Sequence, residues 1–365
     1  MANEIIIILT NDYEIFGNGS GDVRGCLIEP TRKFLRMSER YDVPITLFVD
    51  VAEYWAFLEE ERKGTLPKDY KPASWMREQL IEAIKSEHDV QLHLHPQWLN
   101  YKYDRDAGWQ VDLNLWRLPS LPYGSKDNRR SILGALYQGK RTLEEMFKPY
   151  KEDYECIAFR AGAWCIQPEK EVLRALREIG IKIDSTVLPG IAYNTDITKY
   201  NFRKAKNTFY NFPFWRVEDD ICCSSSNGII VEIPIFTYRA NILERITARV
   251  KRDRRGILKS PEGCRGVVIA TELQKQKSKL RKILSKFEIW KYQMADLCSL
   301  TFEEMIEVVR NAQRRKGKWT KKFPVVFSGH SKCMNDVNIS EIENFIKLVI
   351  GEDKLQFGKY SDLLN

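Results

Sequence analysis

The chain has 365 residues, of which 43% are hydrophobic, 12% aromatic and 30% charged. That balance, with no low-complexity tract, excludes a disordered, fibrous or membrane-embedded chain and leaves a folded globular protein. The formal net charge is +8, yet fifteen basic residues oppose only four acids between Arg239 and Lys286, so the rest of the chain is slightly acidic.

The opening run IIIILT (5–10) reads as a buried strand, with Asp12 and Glu14 just beyond it. No basic region, long apolar segment or small-residue cleavage site precedes it, which predicts a cytoplasmic protein. GNGSGDVRG (17–25) is glycine-rich but has neither the P-loop lysine nor a dinucleotide fingerprint. EPTRKFLRMSERY (29–41) predicts a helix with Pro30 in its first turn. ITLFVD (45–50) is the second strand, and Asp50 reads as the N-cap of VAEYWAFLEE. SWMREQLIEAIKSE (74–87) is the next helix, and His88 after it is expected at the surface, where the helix dipole favours a cation.

VQLHLH (90–95) holds two of the chain's four histidines. Side chains two apart on a strand point the same way, so His93 and His95 converge, either on a metal or as a buried hydrogen-bonded pair. Residues 99–128, rich in aromatics, Pro and Gly, predict an elaborate loop over this third strand. The pattern then continues with a helix (131–147), a strand CIAFRAG (156–162), a helix closed by Gly180 (168–180), and the strands IKIDST (181–186) and IIVEIPIF (229–236). A basic, mostly helical insertion (237–298), a helix (301–315), the strand PVVFSG (324–329) and a last helix (340–350) complete the chain.

Alternating strands and helices predict a parallel sheet covered by helices, and about seven such units suit a distorted (β/α)7 barrel in one domain spanning 1–365. The polar residues fall at the same end of each strand: Asp12 and Glu14, Asp50, His93 and His95, Arg160, Asp184 and His330. In a parallel barrel those ends share the rim on which active sites are built. Eight scattered cysteines without CxxC or zinc-ribbon spacing predict free thiols in a reducing compartment.

Four stretches carry a resemblance. LTNDYE (9–14), VQLHLHP (90–96), FRAGAW (159–164) and FSGHSK (327–332) look like the aspartate, histidine, arginine and final histidine motifs of the polysaccharide deacetylase family of the NodB-homology type, carbohydrate esterase family four and its relatives. The order agrees along most of the chain. The resemblance implies the same distorted (β/α)7 barrel and a metal-assisted removal of an N-acetyl group from a sugar or glycan intermediate. It makes Asp12 the base, His330 the acid and Arg160 the group that orients the base. The family's second aspartate falls on Tyr13, so Glu14 takes its place as ligand. The family's second histidine falls on Gln97, so His95 joins His93. Two histidines and a carboxylate suit a divalent ion, Zn²⁺ before a harder one.

Trp98 and Trp164 follow rim motifs and are expected to stack on the carbohydrate, with Asp184 as a further substrate contact. The same departures allow a degenerate member that binds a carbohydrate without hydrolysing it, or a hydrolase of a non-sugar amide. The basic segment 239–286 lacks any nucleic-acid motif, which disfavours nucleic acid as a partner. It reads as a solvated insertion, or as a peripheral contact with anionic lipid at the inner membrane face.

Overall fold

The computed structural model describes residues 4–264, 266, 290–316 and 322–364. The elements in chain order are β1 (Ile5–Tyr13), α1 (Glu29–Glu39), β2 (Ile45–Asp50), α2 (Val51–Lys63), α3 (Pro72–Lys85), β3 (Asp89–Leu94), β4 (Lys102–Asp104), β5 (Gly108–Gln110), α4 (Ile132–Phe147), β6 (Ala158–Ala161), α5 (Lys170–Glu178) and β7 (Ile183–Asp184). There follow β8 (Ala192–Asn194), β9 (Lys199–Asn201), α6 (Ala205–Asn211), β10 (Trp215–Val217), β11 (Ile230–Glu232), β12 (Thr237–Asn241), α7 (Ile242–Arg255), β13 (Trp290–Met294), α8 (Phe302–Lys316), β14 (Phe323–His330), α9 (Asp336–Val349) and β15 (Leu355–Phe357).

One nine-stranded sheet runs β10-β11-β7-β6-β3-β2-β1-β14, with β15 also on β1, and all its pairings are parallel except β10 with β11. Every residue of β1 and β2 is buried, as an apolar run covered on both faces requires. Beyond β11 the chain swings back to β14: Ile235 bridges Val326, and the Phe236 amide donates to Val326 O at 3.0 Å. The sheet therefore curls into the barrel-like α/β architecture expected. Capping matches the sequence at Asp50, whose carboxylate accepts from the Ala52 amide at 3.1 Å.

Strand parity decides which predicted groups share a face. Asp12 lies beside His330 and Phe48, and Asp50 beside His93, which in turn lies beside Arg160. Lateral neighbours in a sheet point the same way, so these side chains share one face. Asp184 pairs laterally with Phe159, one residue out of step with Arg160, and with Glu232. It therefore faces away from the others.

Three expectations change. Cys26 and Cys264 form a disulfide across 238 residues of sequence, while six cysteines are free as expected. Scattered spacing says nothing of spatial approach, and here the insertion folds back onto the start of α1. His88 is buried: its Nδ1 accepts the Ile45 amide at 3.1 Å, which ties β2 to the turn before β3. The described part of the insertion includes an antiparallel β12–β13 pair and the helix α7; residue 265 and residues 267–289 lie outside the described residues.

Three basic residues of α7 also point unexpectedly. Arg252 pairs with Glu304 at 2.7 Å, Arg255 with Glu303 and Glu341 at 2.8 and 2.9 Å, and Lys251 with Glu303 at 3.0 Å. The outward face carries Leu243, Ile246 and Val250, which are 73%, 55% and 46% exposed. Among the described residues no helix is long and apolar enough to cross a membrane.

On the outer face of the sheet, Asp184 and Glu232 are wholly buried together. Burial raises both carboxyls above their ordinary values, and for Glu232 the Asp184 charge adds to it. In the folded state these groups keep protons that the unfolded chain loses above the usual carboxylate range. Their contribution to stability is thus fully present in acid and is lost as pH rises toward the folded values. Glu232→Gln is expected to reduce the fall in urea midpoint between about pH 5 and about pH 8; an undiminished fall would assign the effect elsewhere.

Candidate metal and catalytic site

Three side chains on β1 alternate inward: Thr10, Asp12 and, just past the strand, Glu14. Tyr13, at the position where the resemblance expects a second aspartate, points the other way and donates its hydroxyl to Gln79 Oε1 at 2.8 Å. Glu14 is thus the acid that the strand period delivers to the interior.

Glu14 Oε2 lies 2.7 Å from His95 Nε2 and 3.5 Å from His93 Nε2. One ligand atom from each of the three residues falls within 4.8 Å of the other two, and all three are buried. His93 Nδ1 lies 2.8 Å from the Arg160 carbonyl oxygen, a contact that places the proton on Nδ1 and leaves the Nε2 lone pair facing Glu14. Among the described residues, neither Nε2 atom has an aligned hydrogen-bond partner. Two enclosed imidazole nitrogens without such bonds, beside one carboxylate, form a donor set that fits a divalent ion.

His95 is set differently. Its Nδ1 lies 2.9 Å from Gln97 Nε2, which also donates to Gly17 O at 3.2 Å. In this arrangement the amide donates to Nδ1, and the proton falls on Nε2, 2.7 Å from Glu14 Oε2 but out of line with it. Ligation through His95 Nε2 requires the other tautomer, with the Gln97 amide turned so that its oxygen accepts from Nδ1. Glu14 has a further partner, Lys332, whose Nζ is 2.5 Å from Oε1 and donates to Ile15 O at 2.9 Å. Burial raises the Glu14 carboxyl, but His95 and Lys332 outweigh it and hold it well below its usual range.

Asp12 forms the second half of the site. Arg160 is completely buried, with Nη1 2.5 Å from Asp12 Oδ1 and 2.9 Å from Thr10 Oγ1. Its Nε donates to Ser185 O at 2.9 Å, Nη2 to the Tyr360 hydroxyl at 3.4 Å, and its plane lies over the Phe48 ring. Burial raises Asp12, yet the charges of Arg160, His93 and His330 lower it below its ordinary value. The other oxygen, Oδ2, is 3.4 Å from His330 Nε2. Burial pushes the His330 imidazolium down, so the ring is held neutral near pH 7.

The remaining expected residues divide. Trp164 stands edge-on to His330, ring centres 6.0 Å apart, on consecutive left-handed residues (φ +50° at Ala163 and +56° at Trp164). Such backbone is strained for residues other than glycine. Trp98, expected to stack on substrate, is only 1% exposed and is walled in by Phe57 and Trp109. It is core. Asp184 accepts from the Thr186 amide and hydroxyl on the outer face, away from Asp12. Sequence reasoning passed over Lys332, although it stands in the FSGHSK motif two residues beyond His330. It also passed over Tyr360, whose distance in sequence left no signal.

No protein-family model matches the chain, and no curated protein matches it. Among solved structures, one described as a polysaccharide deacetylase from Mycobacterium smegmatis is 12% identical, with all of this chain and 90% of that one covered, at a TM-score of 0.47. Another so described, from Pseudomonas aeruginosa PAO1, is 12% identical over 98% and 89% of the two chains, at 0.43. A 4-alpha-glucanotransferase from Thermococcus litoralis is 11% identical over 99% of this chain but 40% of its own length, at 0.48. All three scores are below 0.5, so the residues of the site, rather than these likenesses, carry the functional conclusion.

Replacing Arg160 by Met leaves Asp12 buried without its counter-ion, which costs about 3–5 kcal/mol. Thermal unfolding is expected to show a drop in midpoint of several degrees or more. An unchanged midpoint would mean that the pair contributes nothing net.

Proposed function

We propose that the chain is a metal-dependent hydrolase that removes an acetyl group from an N-acetylated sugar or glycan intermediate. The observation that carries this reading is the meeting, on one face of one sheet, of the Glu14–His93–His95 cluster with the Asp12–Arg160–His330 group. Glu14, His93 and His95 would hold the ion, with Zn²⁺ the best match to two imidazoles and a carboxylate. When bound there, it would polarise an amide carbonyl and acidify a water.

The rest is done by the chain's own groups. Arg160 occupies Asp12 Oδ1 and keeps the carboxylate ionised, so Oδ2 is the atom free to take a proton from water. His330 Nε2, 3.4 Å away, is within one short shift of that proton and would return it to the leaving amine. The edge of Trp164 closes one side of His330, whose side chain remains 19% exposed. Contact with anionic lipid at the inner membrane face would draw on the exposed Arg249 and Arg254 of α7, beside its exposed Leu243 and Ile246.

A second reading is favoured by one observation: the cluster is already neutralised from within, because Lys332 pairs with Glu14. On that reading the protein binds a carbohydrate and hydrolyses nothing. Elemental analysis of the purified protein separates the two. The hydrolase is expected to carry one zinc per chain and to release acetate from N-acetylated oligosaccharides. Both should be lost in the His93→Ala/His95→Ala double variant. A metal-free protein that releases no acetate after zinc is added would sink the hydrolase. Lys332→Met should tighten zinc binding about tenfold in a chelator competition, since it frees a carboxylate oxygen and removes a like charge; weaker binding would make the lysine a clamp that Glu14 needs.

A further inference from the structure

The lysine that pairs with Glu14 is itself held in place by the end of the basic insertion. Lys332 Nζ lies 2.5 Å from Glu14 Oε1 and 5.7 Å from the centre of the Phe16 ring, and its side chain is only 11% exposed. Gly266 lies flat against the same ring, where a Cβ would meet it at 1.9 Å. Cys264 Sγ is 3.8 Å from the Lys332 carbonyl oxygen. The insertion thus covers both the backbone of Lys332 and the ring beside its ammonium group.

The manner in which this cover is attached changes along its length. Just after α7, the Asn335 amide donates to Gly256 O at 3.1 Å and to Lys259 O at 2.8 Å, and the Asn338 amide to Ile257 O at 3.3 Å. Those bonds fasten the segment to the start of α9. Past Lys259 they stop. Among the described residues no main-chain hydrogen bond joins Ser260–Cys264 to the rest of the protein. What joins it is the bond from Cys264, which is half-buried, to Cys26, which is wholly buried. The fit around that bond is close: a Cβ at Gly21 would meet Cys26 Sγ at 3.0 Å and Gly266 Cα at 3.6 Å. Glycines bring little apolar surface of their own, so burial alone holds such a cover weakly against the entropy of a free chain.

We propose that the Cys26–Cys264 bond is a redox latch on the Glu14–Lys332 pair, opened by a small dithiol reductant. A thiolate of the reductant attacks the Cys264 sulfur, the more accessible of the two, and Cys26 leaves. The second thiol of the reductant then displaces Cys264. Its two protons end on Cys26 and Cys264, and the reductant departs as its own disulfide. With the latch open, water reaches Lys332, and an ion pair open to water is worth little. Glu14 Oε1 is then released to join His93 and His95. The latch stands on geometry alone, whereas its effect on a bound ion rests on the metal-site reading above.

The test is hydrogen exchange of the full-length protein, oxidised and after treatment with dithiothreitol that is removed under argon. Reduction is expected to speed exchange at least tenfold in peptides covering 12–20, 256–264 and 330–335, and to leave α4 unchanged. Chelator competition on the same samples should show zinc bound about fivefold tighter after reduction, as when only about a fifth of latched molecules have Glu14 free. Cys264→Ser should match the reduced protein with or without dithiol. Lys332→Met should bind zinc equally in both states. Exchange unchanged on reduction, equal zinc affinities in the two states, or a zinc response that survives Cys264→Ser or Lys332→Met would overturn the latch. A protein that binds no zinc in either state, but whose exchange responds to dithiol, keeps the latch and loses only the metal reading.

Discussion

A guanidinium with no access to water has to be satisfied from within, and Arg160 is satisfied by four segments at once, Ser328 of β14 among them. Asp12 and Thr10 come from β1, Ser185 from just beyond β7, and Tyr360 from the C-terminal turn. Desolvating such a charge costs several kcal/mol, and only near-complete hydrogen bonding to an opposite charge offsets it. The arrangement admits little variation, because moving any of the four segments leaves a buried donor without its acceptor. The same constraint fixes the geometry around Asp12 and His93. Asp12 spends one oxygen on Arg160 and presents the other to His330, while the Arg160 carbonyl sets the His93 ring. One residue thus orients both halves of the site, through its side chain and through its main chain.

The general course of the fold was legible because parallel strands buried on both faces are written as unbroken β-branched runs, and IIIILT, ITLFVD and PVVFSG are such runs. Which end of each strand carries the charged groups was legible too, since charged residues follow or close those runs only there. Which face a residue takes was less so. Counting in twos from Thr10 places Asp12 and Glu14 inside and Tyr13 outside, as the structure has them. From β7 to β11 the strands are only two or three residues long and the count has no anchor, so Asp184 fell on the wrong side. Trp98 misled for a different reason. A tryptophan next to a rim motif reads the same whether it faces a ligand or the helix behind, and α2 with its Phe57 claims it.

Long-range partners left the weakest trace. Lys332 and Glu14 are 318 residues apart, and Cys26 and Cys264 are 238 apart. Local spacing carries no information about either. The disulfide ties the insertion to the entry of α1, and the neighbouring backbone closes on it: a Cβ at Gly25 would meet the Gly263 carbonyl oxygen at 3.0 Å, and Cys264 Sγ lies 3.8 Å from Lys332 O. A segment far from the motifs in sequence therefore borders the lysine that neutralises Glu14.

Helix α7 departs from the usual surface helix: Lys251, Arg252 and Arg255 are turned inward to acids of α8 and α9, while Leu243 and Ile246 face outward. Ionic strength consequently pulls this corner in two directions. Screening weakens the half-exposed pairs to α8 and α9, whereas strongly hydrated anions such as sulfate raise the cost of leaving the outer face in water. Added salt would loosen the helix from its own protein while making it adhesive to another. In a sulfate-rich solution, self-association would begin at this helix.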